Sequence, residues 1–246
     1  MLSIWIGRAG SGKSAQVLET IDRERENRPQ LLLVPEHTSH EAELDLCRFC
    51  GPTACRSAEV LTFQSLATRV LGETGGLADV TLDNGGKLLT MRRCLQELHT
   101  QLKVFGRPSQ RSAFLHQLTT LADEFYAYQI APETLYHHVE DMEGAMGDKL
   151  RDVALIFAAY DAKLRHGGTD TRSRVQKLHD SLPQSHYLDG KDLYLDGFSF
   201  FNRQEESVLA LALRRCASVA VTLLGDKTGQ QFQNAAAQKE RLVRMA

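Results

Sequence analysis

The sequence predicts an α/β protein whose parallel sheet is covered by helices on both faces and interrupted by an all-helical insertion. Three observations predict it. Short, fully apolar runs bounded by turn residues occur towards both ends of the chain, the pattern of strands buried on both faces. Helical patterns alternate with those runs, and strand–helix–strand order calls for crossover connections and parallel pairing. Between the two groups, from about Asp83 to Leu182, the pattern is almost wholly helical.

Each element follows from local signals. Leu2 to Ile6 is an apolar run bounded by Gly7 and reads as a buried strand. After the segment GRAGSGKS (7–14), residues Ser14 to Asn27 place Val17, Leu18 and Ile21 on one helical face, and Pro29 ends the segment. Gln30 to Val34 (QLLLV) is a second buried strand, stopped by Pro35. Thr38-x-x-Glu41 has the capping-box spacing for a helix running toward Phe49. Ala58 to Thr62 is a third strand, and Phe63 to Leu71 a short helix closed by Gly72 and Gly75-Gly76. Helices are predicted at 84–104, 109–129, 132–143, 147–166 and 170–181, broken at Gly106-Arg107-Pro108, Ala131-Pro132 and Gly167-Gly168. Tyr126, Tyr128, Phe157 and Tyr160 within them read as core or inter-helix packing. Strand signals return at Asp192–Asp196 (DLYLD) and Ser218–Leu224 (SVAVTLL), with a helix over 203–216 between them and an alanine-rich helical tail after Gly225. The sheet domain is thus expected over 1–80 and 190–246, and the helical insertion over 81–189.

Composition bounds the function classes. A chain of 246 residues can bury one core, or one core and an inserted subdomain. At 42% hydrophobic and 24% charged it is ordinary globular material. A net charge of −2 carries no global signature of nucleic-acid binding, although a local basic face would be invisible in that sum. No apolar run approaches the roughly 18 residues of a membrane span. The start, MLSIWIGRAG, lacks a basic leader and a cleavage site, so the expectation is a soluble cytoplasmic protein with no membrane contact. Five cysteines, at 47, 50, 55, 94 and 216, are an odd number and suggest free thiols. Cys47-x2-Cys50 with Cys55 has a metal-ligand spacing, but no local fourth ligand completes a zinc or iron–sulfur site.

Gly7-x4-Gly12-Lys13-Ser14 satisfies the phosphate-binding (P-loop) pattern, with a strand before it and a helix after it. Glycines at 7, 10 and 12 let the backbone wrap close to phosphate oxygens. The amides of the loop, through Arg8, Ala9, Ser11 and on to Ser14, then face anionic charge at a helix N-terminus. Lys13 is expected to reach the β- and γ-phosphates of ATP, and the Ser14 hydroxyl to ligate Mg²⁺. A magnesium shell also needs an acid at the end of a neighbouring strand. Asp196 fits, with a plain Asp-Gly turn as the alternative; Asp192 reads as a strand-opening residue. The next position, where many ATPases carry a glutamate that orients water, is Gly197, which has no side chain for that task. Glu205 and Glu206 substitute only if the fold brings them back. The expectation is nucleotide binding with weak or absent hydrolysis.

Four blocks in order, GRAGSGKS, LLLVPEHTSHEAEL (31–44), EVLTFQSLATRVLGETGG (59–76) and LYLDGFSFFNRQEESVLALAL (193–213), carry a family resemblance. They are similar to the B subunits of bacterial AddAB (RexAB) helicase–nucleases, which process double-strand DNA breaks. The resemblance covers the blocks at both ends, and the helical middle is matched only in position and character. It implies a superfamily-1-like helicase core whose first RecA-like domain is interrupted by a helical insertion, working with DNA and with an A subunit in a heterodimer. By matched position it makes Thr62, Gln64 and Ser65 candidates for DNA contact, and a helix cap at Thr62 is the other reading. Leu224-Gly225-Asp226 resembles a later helicase motif, with Gln230 and Gln231 at a different spacing. Members of the family are several times longer, with a second RecA-like domain and a C-terminal nuclease holding an iron–sulfur cluster. The resemblance therefore implies an N-terminal fragment that does not unwind DNA alone, and a module that binds ATP and DNA for recognition of the regulatory Chi sequence. The rival reading is an active P-loop ATPase or a small-molecule kinase, with Arg172 and Arg174 as lid arginines in place of a solvated helix face.

Overall fold

The computed structural model describes residues 1–246 apart from 52, 54, 55, 57, 78–81, 107–111, 167–172 and 226–232, and describes residues 166, 233 and 234 by backbone alone. The elements run β1 (Leu2–Gly7), α1 (Lys13–Glu24), β2 (Gln30–Leu33), α2 (Ser39–Cys50), β3 (Ala58–Leu61) and α3 (Phe63–Thr74). Four helices follow, α4 (Asn84–Leu98), α5 (Ser112–Ala127), α6 (Pro132–Val139) and α7 (Gly144–His166). The chain then returns through α8 (Arg174–Ser181), β4 (Asp192–Leu195), α9 (Arg203–Arg215), β5 (Ser218–Leu224) and α10 (Gln233–Met245). Two units result: Met1–Leu77 with Arg174–Ala246, and Ala78–Ser173.

In the first unit the five strands form one sheet in the order β1-β5-β4-β2-β3. Every pair is parallel, and Ile4, Val221, Leu195, Leu33 and Leu61 share one row. Strand residues alternate between faces. Leu31, Leu33, Leu193, Leu195, Val219 and Val221 pack with apolar residues of α3, α8, α9 and α10. Leu32, Val34, Tyr194 and Ala220 pack with Val17 and Ile21 of α1 and Leu46 of α2. The result is the three-layer α/β sheet that the apolar runs predict. Helix α8 belongs to this unit because Val175 and Leu178 are buried with Leu66 and Val70 of α3, so the helical unit closes at Ser173.

One local expectation fails for a physical reason, and one helix closes at the later of its two predicted stops. Thr38 does not cap α2. A 3-10 turn over Glu36–Thr38 begins at Pro35 and runs straight into the helix, leaving Thr38 helical (φ −109°, ψ −1°), whereas a cap requires extended backbone. Its hydroxyl donates to the Pro35 carbonyl at 3.0 Å instead. Helix α3 runs past Gly72 to Thr74 and stops at Gly75.

The helical unit encloses its own core of Met91, Cys94 and Leu95 (α4), Leu115 and Leu118 (α5), and Ile156, Phe157, Tyr160 and Leu164 (α7). Tyr128, expected to pack, is exposed because α5 ends at Ala127 and the chain turns at Gln129 (φ 56°). Helix α4 ends at Leu98, short of the predicted 104. Past it, the buried carboxylate of Asp152 on α7 accepts three consecutive backbone amides, from Lys103 (3.0 Å), Val104 (2.7 Å) and Phe105 (2.9 Å). Those amides would otherwise lack partners after the last helical turn. No helix among the described residues is long and apolar enough to cross a membrane.

Candidate nucleotide site

The five strands end on one edge of the sheet, and the phosphate-loop sequence follows β1 there. The loop turns into α1 through Gly12, which adopts the left-handed conformation (φ 83°) closed to most side chains. Helix α1 starts without a side-chain cap and without an acidic residue in its first turn. Helices α3 and α9, by contrast, each start with a complete capping box. An uncapped helix N-terminus leaves amide donors and the positive end of the dipole facing outward. Across the loop the Lys13 ammonium donates to the carbonyls of Gly7 and Arg8, both at 2.9 Å. The Gly225 amide donates to the same Gly7 carbonyl at 3.1 Å, tying the loop to the end of β5. Arg8, Ala9, Gly10, Ser11 and Ser14 are exposed around this cradle.

Asp196 follows β4, which lies one strand away from β1 with β5 between them. Its amide donates to Leu33 at 3.1 Å, and its Oδ1 accepts the Thr222 hydroxyl of β5 at 2.5 Å. Thr222 is buried, so this bond fixes the carboxylate's orientation and leaves Oδ2 for other partners. Sequence pattern alone does not single out Thr222: a lone threonine in SVAVTLL looks like any β-branched strand residue. Asp192, at the other end of β4, accepts the Ser218 hydroxyl at 2.6 Å and pairs with Arg28 at 3.5 Å.

Gly197 sits at φ 80°, so the position is reserved by backbone conformation as well as by lack of a side chain. A Cβ there would touch Pro35 at 3.5 Å, an ordinary contact, which leaves strain as the deciding term. Gly197→Ala is therefore expected to destabilise the fold by about 1–2 kcal/mol. Thermal unfolding followed by circular dichroism should show a drop of roughly 2–8 °C. An unchanged transition would mean that the left-handed turn is not required.

The other sequence blocks meet on the same edge. Phe198 packs edge-on against Phe63 at 5.7 Å and tilted against Phe201 at 4.9 Å, joining the block after β4 to the start of α3. Thr62 and Ser65 form a reciprocal capping box: Ser65 N donates to Thr62 Oγ1 at 3.2 Å, and Thr62 N to Ser65 Oγ at 2.7 Å. Gln64, between them, is exposed.

The substitute acids are committed elsewhere. Glu205 closes the α9 capping box, accepting from Asn202 N at 2.9 Å, and burial pushes its carboxyl above the usual range. Glu206 is buried and bound by Arg241 at 2.8 Å. Arg174 donates to Thr68 at 3.3 Å. Arg172, Asp226, Gln230, Gln231 and Cys55 lie outside the described residues. Cys50 is buried with its thiol pushed up by desolvation, and the described residues contain no cluster able to hold a metal.

Residues 4–245 match the family model described as "ADDB, N-terminal". The chain is 34% identical over 238 residues to the B subunit of the ATP-dependent helicase/deoxyribonuclease of Geobacillus thermodenitrificans, covering 92% of this chain and 20% of that protein. The similarly named protein of Clostridium botulinum is 32% identical over 228 residues, covering 91% and 20%. That of Clostridium tetani is 32% identical over 237 residues, covering 93% and 21%. The chain thus spans about a fifth of the length of the curated relatives it matches.

Proposed function

Because the chain belongs to the AddB N-terminal family, we propose that it serves as the helicase-like, ATP- and DNA-binding module of a helicase–nuclease that processes double-strand breaks, with little or no ATP hydrolysis of its own. The observation that carries this reading is the uncapped start of α1 behind left-handed Gly12, with Lys13 held across the loop on the sheet edge that also bears Asp196. The donors present fit a polyphosphate: backbone amides from Ala9 to Ser14, one ammonium, and a helix N-terminus with no competing acid. Lys13 takes the β- and γ-phosphates, while Ser14 and Asp196 hold the magnesium shell. Mg²⁺, when bound, would supply neutralisation of phosphate charge. Gly197 leaves the site without a base beside Asp196, and Glu205 and Glu206 are both engaged in structural bonds. The residues therefore retain a phosphate and do not activate water.

DNA is the second ligand of this reading, reached at the start of α3. The Thr62 and Ser65 side chains cap the helix, so Gln64 offers its exposed amide as the first contact, with the two hydroxyls behind it. The larger partner is an A subunit in a heterodimer, in line with the relatives' names as B subunits.

One sample tests the central claim. Mg-ATP binding is measured by calorimetry and phosphate release on the same protein, with and without DNA. Saturable binding with negligible release is expected in both conditions. Turnover on the order of 1 s⁻¹ or faster would establish a working ATPase and overturn the reading.

A further inference from the structure

Strand β1 stands at one margin of the sheet and pairs only with β5 among the described strands. Val219 N donates to Met1 O at 2.9 Å, and Gly225 N to Gly7 O at 3.1 Å. The odd-numbered residues of β1 therefore bond to β5, and the backbone N–H and C=O groups of Leu2, Ile4 and Ile6 point away from it. Sheet edges are normally guarded by charge, proline, a bulge or shortness. At the other margin β3 has four residues and carries Glu59, paired with Arg69 of α3 at 2.6 Å. By contrast β1 has six residues, LSIWIG, without charge or proline, and its Ile6 is 43% exposed. Such an edge is a template for another strand.

The path of the chain identifies that strand. Helices α1 and α2 lie on one face and carry the chain from β1 to β2 and from β2 to β3, away from β1. On the other face α3 and α8 bring it from β3 back to β4, and α9 brings it from β4 to β5, toward β1. All four crossovers thus share one hand, as parallel crossovers do in about 98% of cases. Helix α10 follows β5, and its Leu242 is buried on the same face as α9. A strand after α10 that keeps this hand moves toward β1 again. The place beside β5 is filled by β1 itself, so the next free place is the open edge of β1. The family match is N-terminal and covers about a fifth of each relative, so in proteins of that length a long polypeptide follows α10.

We propose that the segment following α10 in the longer subunit docks on β1 as a sixth strand, parallel to it and bonded to Leu2, Ile4 and Ile6. This rests on the reading of the chain as one module of a larger helicase–nuclease subunit, but on none of the residues assigned to nucleotide or DNA. A parallel partner at this edge would be an extended, apolar run like the other strands of the sheet. It would hold β1 from its second side, immediately before the phosphate loop.

Residue-resolved hydrogen exchange tests this on two proteins, the 246-residue chain and the same chain continued to the length of its relatives. In the shorter protein the Ser3 and Trp5 amides are expected to be protected, and those of Ile4 and Ile6 to exchange freely. In the longer protein Ile4 and Ile6 should gain protection of about tenfold or more, the scale of one net hydrogen bond. Ile6→Pro removes an outward N–H and leaves the ladder to β5 in place. It should change Ser3 and Trp5 protection in the shorter protein by less than about threefold, and lower Ile4 protection in the longer one by about tenfold. Should Ile6→Pro fail to fold, the two unsubstituted proteins still decide. Equal, rapid exchange of Ile4 and Ile6 in both proteins would overturn the proposal. Their protection in the shorter protein would also overturn it, and a rise of that protection with concentration would assign the edge to a second copy instead. The readout does not involve ATP, so failure here is distinct from failure of the nucleotide reading.

Discussion

Replacing Lys13 by alanine is expected to weaken Mg-ATP binding about a hundredfold while leaving the fold intact. The ammonium donates to Gly7 O and Arg8 O, so it is held over the loop before any ligand arrives and loses little freedom on binding. Charge-assisted hydrogen bonds contribute about 1.5–3 kcal/mol each. Loss of one strong bond and part of a second corresponds to roughly two decades in affinity. Stability should fall by only about 1 kcal/mol, because the half-buried ammonium leaves two carbonyls, Gly7 O and Arg8 O, that water can reach in its place. Calorimetric titration of Mg-ATP into both proteins, with a thermal melt of each, separates the two effects. Equal affinities would remove Lys13 from the site. Lys13→Arg should not rescue, since a planar fork does not reproduce a compact ammonium between two carbonyls.

Asp152→Ala should be the most damaging single change in the helical unit. One carboxylate, 3% exposed, accepts the amides of Lys103, Val104 and Phe105. At about 1 kcal/mol net for each lost bond, the cost is about 3 kcal/mol. For a unit of this size that means a melting temperature lower by roughly 12–24 °C. Hydrogen exchange gives a specific signature: the three amides should lose protection first. Asp152→Asn keeps only one acceptor oxygen and should recover less than half of the loss. Protection of Lys103–Phe105 unchanged in Asp152→Ala would refute the role.

The same loop shows where sequence reading stops. Leu102, Val104 and Phe105 extend the helical spacing of α4, yet the helix ends at Leu98 and the amides of Lys103, Val104 and Phe105 go to a carboxylate almost fifty positions later. A long-range hydrogen bond leaves no local trace. Where the determinants are local, the reading succeeds: apolar runs locate the five strands of the sheet, and the loop pattern stands between β1 and α1. Thr38 carries the right residue at the right spacing, but Pro35 shapes the backbone before it and preempts the cap. Strand order is equally hidden. Nothing in SVAVTLL announces that β5 inserts between β1 and β4, or that Thr222 reaches Asp196.

The place of β1 sets a schedule for the nascent chain. Among the described strands its one neighbour in the sheet is β5, and Leu2 faces Val219 across that pair. A ribosome therefore delivers the phosphate loop long before its anchoring strand. While β2 and β3 pair early, LSIWI waits as an unpaired apolar segment through translation of the whole helical insertion, the kind of exposed strand that chaperones shield. Any product cut before Ser218 would retain the loop's sequence and lack the strand that holds it in shape, so the loop reaches its folded geometry late in this chain's synthesis.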